Sequence, residues 1–544
     1  MANQYGLVVQ GDDEANTLEA YAVGNNSNGK DFFNIVHAAG GNDKITVDSW
    51  LAGMNVGVEI YGEDGNDTIF DSKNKDTLSG GNGDDKIHSS NGKDVIDGGG
   101  GTDTLYVTSA NLDDLTISGI ERLVIASGVH IGSFDINSLE EIGRDRFYRQ
   151  TNVFFDHQAT LTDPLFIGGP YFLHGSDFDD QFDVSTSTAT FEIDGKGGSD
   201  TILGGLNKAT LDGGVGDDSI TGGAQADKLI GGTGKDTIHG GGGNDAISAG
   251  SGNDLVFAGD GKDVIGGRDV IASDVKHLYG EAGDDTFEGF KSGSAAEVHL
   301  SGGRGNDTLE FQGKVGNLQV EDIETLELEP HVENDFEVKA SITATVDFLN
   351  SFKHITTTGG NPLDITLSSD GKFTWKDAGD HAFGEIHGWK QDDEIDLSKA
   401  GGGWTLYGGN GDDVLKLGVG GYVYGGDGDD VIIGGTSYDY IDGGSGDDII
   451  NGRGGSDELT GNGGSDTFVF QAGCGHDSVY SFETGKKVHD IIDLSAIKSI
   501  KNYDDLVDHH ISSNGTLTID LGGGDKVYVY GLYEQNLDAS FFTF

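Results

Sequence analysis

A period of nine residues dominates this chain. From Gly62, five blocks of nine run without a gap to Tyr106, among them Gly80-Gly-Asn-Gly-Asp-Asp-Lys-Ile-His88 and Gly98-Gly-Gly-Gly-Thr-Asp-Thr-Leu-Tyr106. A second array keeps the register from Gly195 through Gly266, and Gly231-Gly-Thr-Gly-Lys-Asp-Thr-Ile-His239 is its clearest member. Single units begin at Gly280, Gly302 and Gly408; a third array runs from Gly425 to Val469 and includes Gly443-Gly-Ser-Gly-Asp-Asp-Ile-Ile-Asn451. Degenerate copies lie near Asp43 and Asp180. The shared pattern is G-G-x-G-x-D-x-U-x, with U a large apolar residue. Its Gly-rich part makes a tight turn through backbone conformations that side chains forbid. Its last three residues suit a short strand whose central apolar side chain points inward. One apolar residue in nine buries too little surface to hold either half alone, so consecutive turns must stack into an apolar ladder and a parallel sheet. Stacking also gathers carboxylates and carbonyls on the turn side. These hard oxygen donors suit calcium, which takes about six to eight of them in irregular geometry, better than magnesium with its strict octahedron.

Charge leads to the same place. The 544 residues include 94 Gly, only 4 Pro, and 93 acidic against 33 basic side chains, for a net charge of −60. Glycine has no three-residue period and proline is scarce, which excludes collagen. So much like charge would leave the chain disordered unless cations neutralised it. Nucleic acid and anionic membrane surfaces would be repelled. The single cysteine, Cys474, rules out a disulfide framework, and metal is the usual alternative staple. The opening Met-Ala-Asn-Gln-Tyr-Gly has neither a basic segment nor an apolar run, so no Sec-type signal peptide is expected there. No apolar stretch approaches the length of a transmembrane helix.

The nonapeptide resembles that of the RTX proteins, whose repeats bind calcium. The resemblance implies an all-β fold, a calcium-bound parallel β-roll in arrays interrupted by irregular β segments, with the sixth-position aspartate as the main side-chain ligand. In the first array these are Asp67, Asp76, Asp85, Asp94 and Asp103; in the second, Asp200, Asp218, Asp227, Asp236, Asp245, Asp254 and Asp263. Asp285, Asp307 and Asp413 belong to the single units, and Asp430, Asp439, Asp448, Asp457 and Asp466 to the third array. Ions shared between turns give roughly fifteen to twenty calciums, which would offset about half or more of the net charge. The C-terminus resembles the end of type I secreted RTX proteins at Gly464-Ser-Asp-Thr-Phe-Val-Phe470, Asp477-Ser-Val-Tyr-Ser-Phe-Glu-Thr-Gly485, Asp490-Ile-Ile-Asp-Leu-Ser495, Leu521-Gly-Gly-Gly-Asp525 and Asn536-Leu-Asp-Ala-Ser-Phe-Phe-Thr-Phe544. In that family the region caps the roll and carries an uncleaved export signal for an ABC-transporter channel. Lys487-Val488-His489 departs from the family's usual acidic residue, which weakens a local ligand rather than export.

These readings divide the chain into degenerate N-terminal β repeats (1–61), array one (62–106), a β-rich segment (107–194), array two with single units (195–310), a second β-rich segment (311–407), array three (408–469), and the C-terminal cap with its secretion signal (470–544). A longer repeat links the two halves: Leu115-x-Ile117-x-x-Ile120-Glu121-x-Leu123-x-Ile125 matches Leu318-x-Val320-x-x-Ile323-Glu324-x-Leu326-x-Leu328. Its apolar spacing suits strands with a tight corner, read as calcium-poor coils of the same solenoid; irregular β stretches follow at about 130–190 and 330–405.

Rival chemistry is weakly supported. The G-x-G-x-x-G matches lack a βαβ context. His509-His510 has no further Cys or His nearby in sequence to complete a metal site, and Cys474 reads as a small residue of the cap. Phe147, Tyr148, Phe154 and Phe155 read as a satellite core, and Trp375, Trp389 and Trp404 are core or a sugar platform. There is no H-E-x-x-H and no G-x-S-x-G, and repeat-like sequence from about residue 11 leaves no room for an N-terminal catalytic domain, so no enzyme is expected. Three functional readings stand. The preferred one is a secreted, extracellular structural protein of the bacterial surface that self-associates with calcium, as RTX-type surface-layer proteins do. The second is an adhesin or biofilm-matrix protein binding cell-surface polysaccharide, and the third an enzyme or toxin without a recognisable motif.

Overall fold

The computed structural model describes residues 8–20, 34–47, 57–90, 92–132, 135–144, 151–162, 165–266, 275–291, 297–314, 317–328, 331–334, 337–357, 362–376 and 383–544. The chain divides into two units, Met1–Asp285 and Thr286–Phe544.

In the first unit, successive strands alternate between two parallel sheets. Leu211, Leu229, Ile247 and Ile265 stand in register on one sheet. Ile202, Ile220, Ile238 and Val256 stand in register on the other. Two nonapeptides therefore complete one coil, and the repeat's apolar residue faces a partner eighteen positions away. All eight of these side chains are buried between the sheets. Ile69, Ile87 and Leu105 form the same ladder in array one, opposite Leu78 and Ile96. The ninth position points outward, where rings stack from coil to coil: Phe70–His88–Tyr106 with centroids 4.2 and 4.3 Å apart, and His239–Phe257–Tyr279 at 4.9 and 5.2 Å. Such pairs add about 0.5–1.5 kcal/mol beyond their burial.

Parallel pairing continues through 107–194. The strand Arg122–Ile131 pairs with Thr104–Asn111, with Glu141–Arg144 and with Thr151–Phe155, and Tyr171–His174 and Phe191–Asp194 follow. Here the register steps are 24 residues from Gly128 to Asn152 and 20 from Thr151 to Tyr171, which is why the nine-residue period fades from the sequence. Leu123 and Ile125 pack in register with Leu105 and Val107, so the Ile-Glu-x-Leu segment forms an ordinary coil.

The second unit repeats the plan. Trp404–Asn410, Gly421–Asp427, Tyr440–Ser445, Glu458–Gly463 and His476–Tyr480 make one parallel sheet. Asp393–Asp396, Val414–Lys416, Val431–Ile433, Ile449–Asn451, Thr467–Val469, Ile491–Asp493 and Phe542–Thr543 make the other. An antiparallel hairpin, Leu517–Gly522 with Asp525–Val529, docks in parallel onto His476–Tyr480 and covers that end of the sheet. The helix Tyr503–His509 starts where the Asn502 side chain accepts the Asp505 N–H. No helix among the described residues is long and apolar enough to cross a membrane.

The aromatic clusters sort by burial. Trp375 and Trp404 are buried 5.1 Å apart and belong to the core, whereas Trp389 is exposed with the Lys390 ammonium over its ring. Phe155 is buried, and Phe154 stacks between His130 and His174. Phe147 and Tyr148 lie outside the described residues.

Candidate metal centre

The sixth-position aspartates form rows that run from coil to coil. In each row the backbone N–H of one aspartate donates to Oδ1 of the next: Asp67 to Asp85 and Asp85 to Asp103 in array one, at 2.7 and 2.8 Å. In array two the rows are Asp200–Asp218–Asp236–Asp254 and Asp227–Asp245–Asp263–Asp285, at 2.7–3.1 Å. Asp413–Asp430–Asp448–Asp466 and Asp439–Asp457 continue the scheme in the second unit at 2.8–3.0 Å. Asp76 donates to Asp94 in the same way. Every one of these aspartates is buried, with 0–3% of its surface exposed, and so is Asp307.

Oδ2 is where the turns differ. One kind of turn places left-handed backbone at its second and fourth positions, as at Gly232 and Gly234 with φ of +110° and +129°. A Cβ on either glycine would lie 2.0 Å from a carbonyl oxygen of the neighbouring coil, which favours glycine there. Where the second position carries another residue, as at Glu63, Lys196 and Asn462, its backbone is still left-handed, with φ of +72°, +68° and +69°. Turns of this kind end in Asp43, Asp67, Asp85, Asp103, Asp200, Asp218, Asp236, Asp245, Asp254, Asp263, Asp285, Asp307, Asp413, Asp430, Asp448 and Asp466. In Asp67, Asp85, Asp103, Asp200, Asp218, Asp236, Asp245, Asp263, Asp413, Asp430, Asp448 and Asp466, Oδ2 is buried and has no hydrogen-bond partner. The same is true of Asp457, whose turn carries Arg453 at φ +65°. At Asp254, Oδ2 meets the ammonium of Lys276.

In the other kind of turn the carboxylate folds back on its own loop. Ser72 donates its N–H and hydroxyl to Asp76 Oδ2, both at 2.8 Å; Ser89 Oγ lies 3.2 Å from Asp94 Oδ2; Gly435 N–H donates to Asp439 Oδ2 at 2.7 Å. Asp227 accepts the Ala209 N–H on Oδ1, and its turn has Gln225 at the fourth position.

A row of buried carboxylates, each with an oxygen the protein leaves unbonded, calls for cations. Burial first, and then the neighbouring carboxylates, push Asp85, Asp200, Asp236, Asp413, Asp448 and Asp466 up to about 7, against the pull of the ladder N–H; Asp457 reaches about 8. Oxygens from adjacent coils converge beside Oδ2: a Cβ placed on Gly231 would lie 2.5 Å from Asp236 Oδ2 and 2.4 Å from the Ala249 carbonyl. An all-oxygen, anionic, irregular donor set fits calcium; the Oδ2 atoms and turn carbonyls would hold it.

The rows also include residues that the strict nonapeptide pattern misses. Asp43, Asp180, Asp393, Asp477 and Asp490 occupy ladder positions, donating to or accepting from the neighbouring aspartate. Each has an apolar residue two positions on, and that Asp-x-apolar signal was available in the sequence. Glu121 and Glu324 end rows by accepting the N–H of Asp103 at 2.8 Å and of Asp307 at 3.1 Å. The glutamate of the Ile-Glu-x-Leu repeat thus takes the aspartate's place with a longer arm. His509 and His510 do not converge: one pairs with Asp505 and the other with the Asp520 carbonyl. Cys474 is buried, and burial together with Asp477 pushes its thiol well above the usual range.

Parallel coils of two nonapeptides, with glycine turns that line up unpartnered aspartate oxygens, define a calcium-binding β-roll. The RTX calcium-binding nonapeptide repeat (4 copies) matches residues 59–70, 72–105, 207–238, 230–265, 277–289, 292–311, 405–421, 424–459 and 449–473. This chain is an RTX-repeat protein. Comparison with curated proteins gives no match.

Proposed function

We propose that this protein is a secreted structural component of a bacterial cell surface, surface-layer-like, which folds and then assembles on calcium. The reading is structural rather than enzymatic, because the repeats themselves make up the fold. The observation that carries it is a second, exposed row of carboxylates outside the buried one. Asp392, Asp412, Asp429 and Asp447, at the fifth positions, are linked coil to coil through one carboxylate oxygen each, at 2.8–3.0 Å, on the exposed edge of the turns. In the first unit single fifth-position carboxylates, Asp84 and Asp217, accept an N–H from the next coil in the same way, from Thr102 and Lys235. Bridging cations would relieve the repulsion between such edges on neighbouring molecules, as roughly fifteen to twenty internal calciums do within one chain. Export by a type I ABC transporter through residues 485–544 belongs to the same reading, since a chain unfolded in calcium-poor cytoplasm is threadable. The test is light scattering and negative-stain imaging over rising calcium. Ordered sheets with calcium, partial replacement by strontium and none by magnesium are expected; a strictly monomeric protein at millimolar calcium and high concentration overturns the assembly reading.

One observation favours the adhesin alternative. A groove of about 390 Å³ lies along Phe70, His88, Tyr106, Val124 and Ala126, with stacked rings as its wall. Aromatic faces of this kind suit sugar rings, and binding of soluble polysaccharides by calcium-loaded monomer would select that reading.

A further inference from the structure

The turn that ends in Asp254 has the same backbone as its neighbours, with φ of +84° at Gly250 and +130° at Gly252. Its ladder bond is also the same, since Asp236 N–H donates to Asp254 Oδ1 at 3.1 Å. What differs is the contents of the turn. The Lys276 ammonium pairs with Asp254 Oδ2 and donates to the carbonyls of Gly250 and Gly252 at 2.9 and 3.2 Å. An ammonium has three protons to place, and all three are placed. Both side chains are buried, at 1% and 0% exposure.

Register explains how a lysine gets there. Leu255 pairs with His277 and Val256 with Leu278, so Lys276 stands level with Asp254, where the row's next aspartate belongs. The step is 22 residues instead of 18, and lysine fills the aspartate's position. Its ammonium reaches back toward the preceding coil, into the space that the turn's second and fourth carbonyls and the sixth-position Oδ2 enclose together.

We propose that Lys276 permanently occupies a calcium seat, so that the Asp254 turn takes no calcium and the Asp200–Asp218–Asp236–Asp254 row ends on a cation supplied by the chain itself. One positive charge matches the one carboxylate oxygen that faces it. Being covalently attached, it closes this turn at any calcium concentration and gives the second array a coil that is ordered before ions arrive. The proposal rests on the reading of unpartnered Oδ2 atoms as calcium ligands.

The experiment counts calcium per chain by elemental analysis of full-length protein equilibrated in saturating calcium. Asp236→Asn should lose at least one ion, whereas Asp254→Asn should keep the wild-type count. Lys276→Asp, which restores the repeat, should gain one ion, and Lys276→Ala, which empties the seat, provides the same test should the aspartate variant fold poorly. If Asp254→Asn loses as many ions as Asp236→Asn, or if neither lysine variant gains one, Lys276 does not hold a seat. If Asp236→Asn keeps every ion, the ligand reading itself fails and takes this proposal with it.

Discussion

Replacing Asp236 and Asp76 separates what the ladder does for the fold from what it does for calcium. Asp236→Ala removes the Oδ1 acceptor of the Asp218 N–H, a 2.9 Å bond between buried groups, together with a buried Oδ2 that no protein atom satisfies. The stranded N–H costs about 1–3 kcal/mol, and the vanished oxygen takes a charged ligand from a seat shared with adjacent turns. Asp76→Ala strands two donors, the Val58 and Ser72 N–H groups, each 2.8 Å from the carboxylate. Its structural cost is therefore about twice as large, roughly 2–6 kcal/mol. Its Oδ2 is already bonded within the turn, and Asp71 and Asp94 place carboxylate oxygens within 4.8 Å of it, so removing it should cost less calcium than removing Asp236. Calcium titration calorimetry should show Asp236→Ala losing at least one ion and more than one site's worth of affinity, while Asp76→Ala loses less calcium and melts earlier. Equal losses of calcium in the two variants would refute the division of turns by the partner of Oδ2.

Other outcomes follow from the same geometry. Chelation should expand the chain to a largely coil state, and calcium should restore β structure cooperatively, as followed by circular dichroism and hydrodynamic radius; a compact β-rich chain in EGTA would contradict this. In calcium-free protein, ladder carboxyls such as Asp236 and Asp448 hold protons to about 7 when folded, against 3.8 as the ordinary value. Protonation thus favours the calcium-free fold below about pH 4, and that contribution is lost as pH rises toward 7; β content that increases with pH in calcium-free protein would reverse the sign. Cys474 should resist thiol reagents in calcium and react quickly once calcium is removed, since its protection comes from burial. Deleting residues 485–544 should leave the protein inside the cell, and normal export of the truncated chain would remove the signal from that segment.

The sequence carried most of this fold because one hydrogen bond ties the length of a coil to its site. An aspartate that accepts an N–H from the coil before it must recur once per coil, so the register of Asp218, Asp236 and Asp254 records the stacking directly. Coil length was legible only where it held at eighteen. The 24- and 20-residue steps after Gly128 and Thr151 hide the same parallel pairing behind an aperiodic stretch. The partner of each Oδ2 was not legible, because it is decided by side chains outside the G-G-x-G-x-D pattern: Ser72 at a second position, Ser89 at a first, Lys276 one lengthened coil away.

Those exceptions share a cause. Strands in register lie about 4.8 Å apart, and two like charges at that spacing repel by about 3 kcal/mol at an effective dielectric of 20. A row such as Asp413–Asp430–Asp448–Asp466 would accumulate that repulsion with every coil added, while each coil buries only one apolar residue on each sheet. The roll is therefore stable only where each ladder carboxylate is compensated, and the turns show three ways of doing it. Loop donors bond Asp76, Asp94 and Asp439, a tethered ammonium pairs with Asp254, and the open turns leave a buried oxygen that calcium would fill on the proposed reading. Only the third depends on the medium. On the proposed ligand reading, the long open-turn rows would wait for calcium, whereas the turns at Asp76, Asp254 and Asp439 have donors of their own.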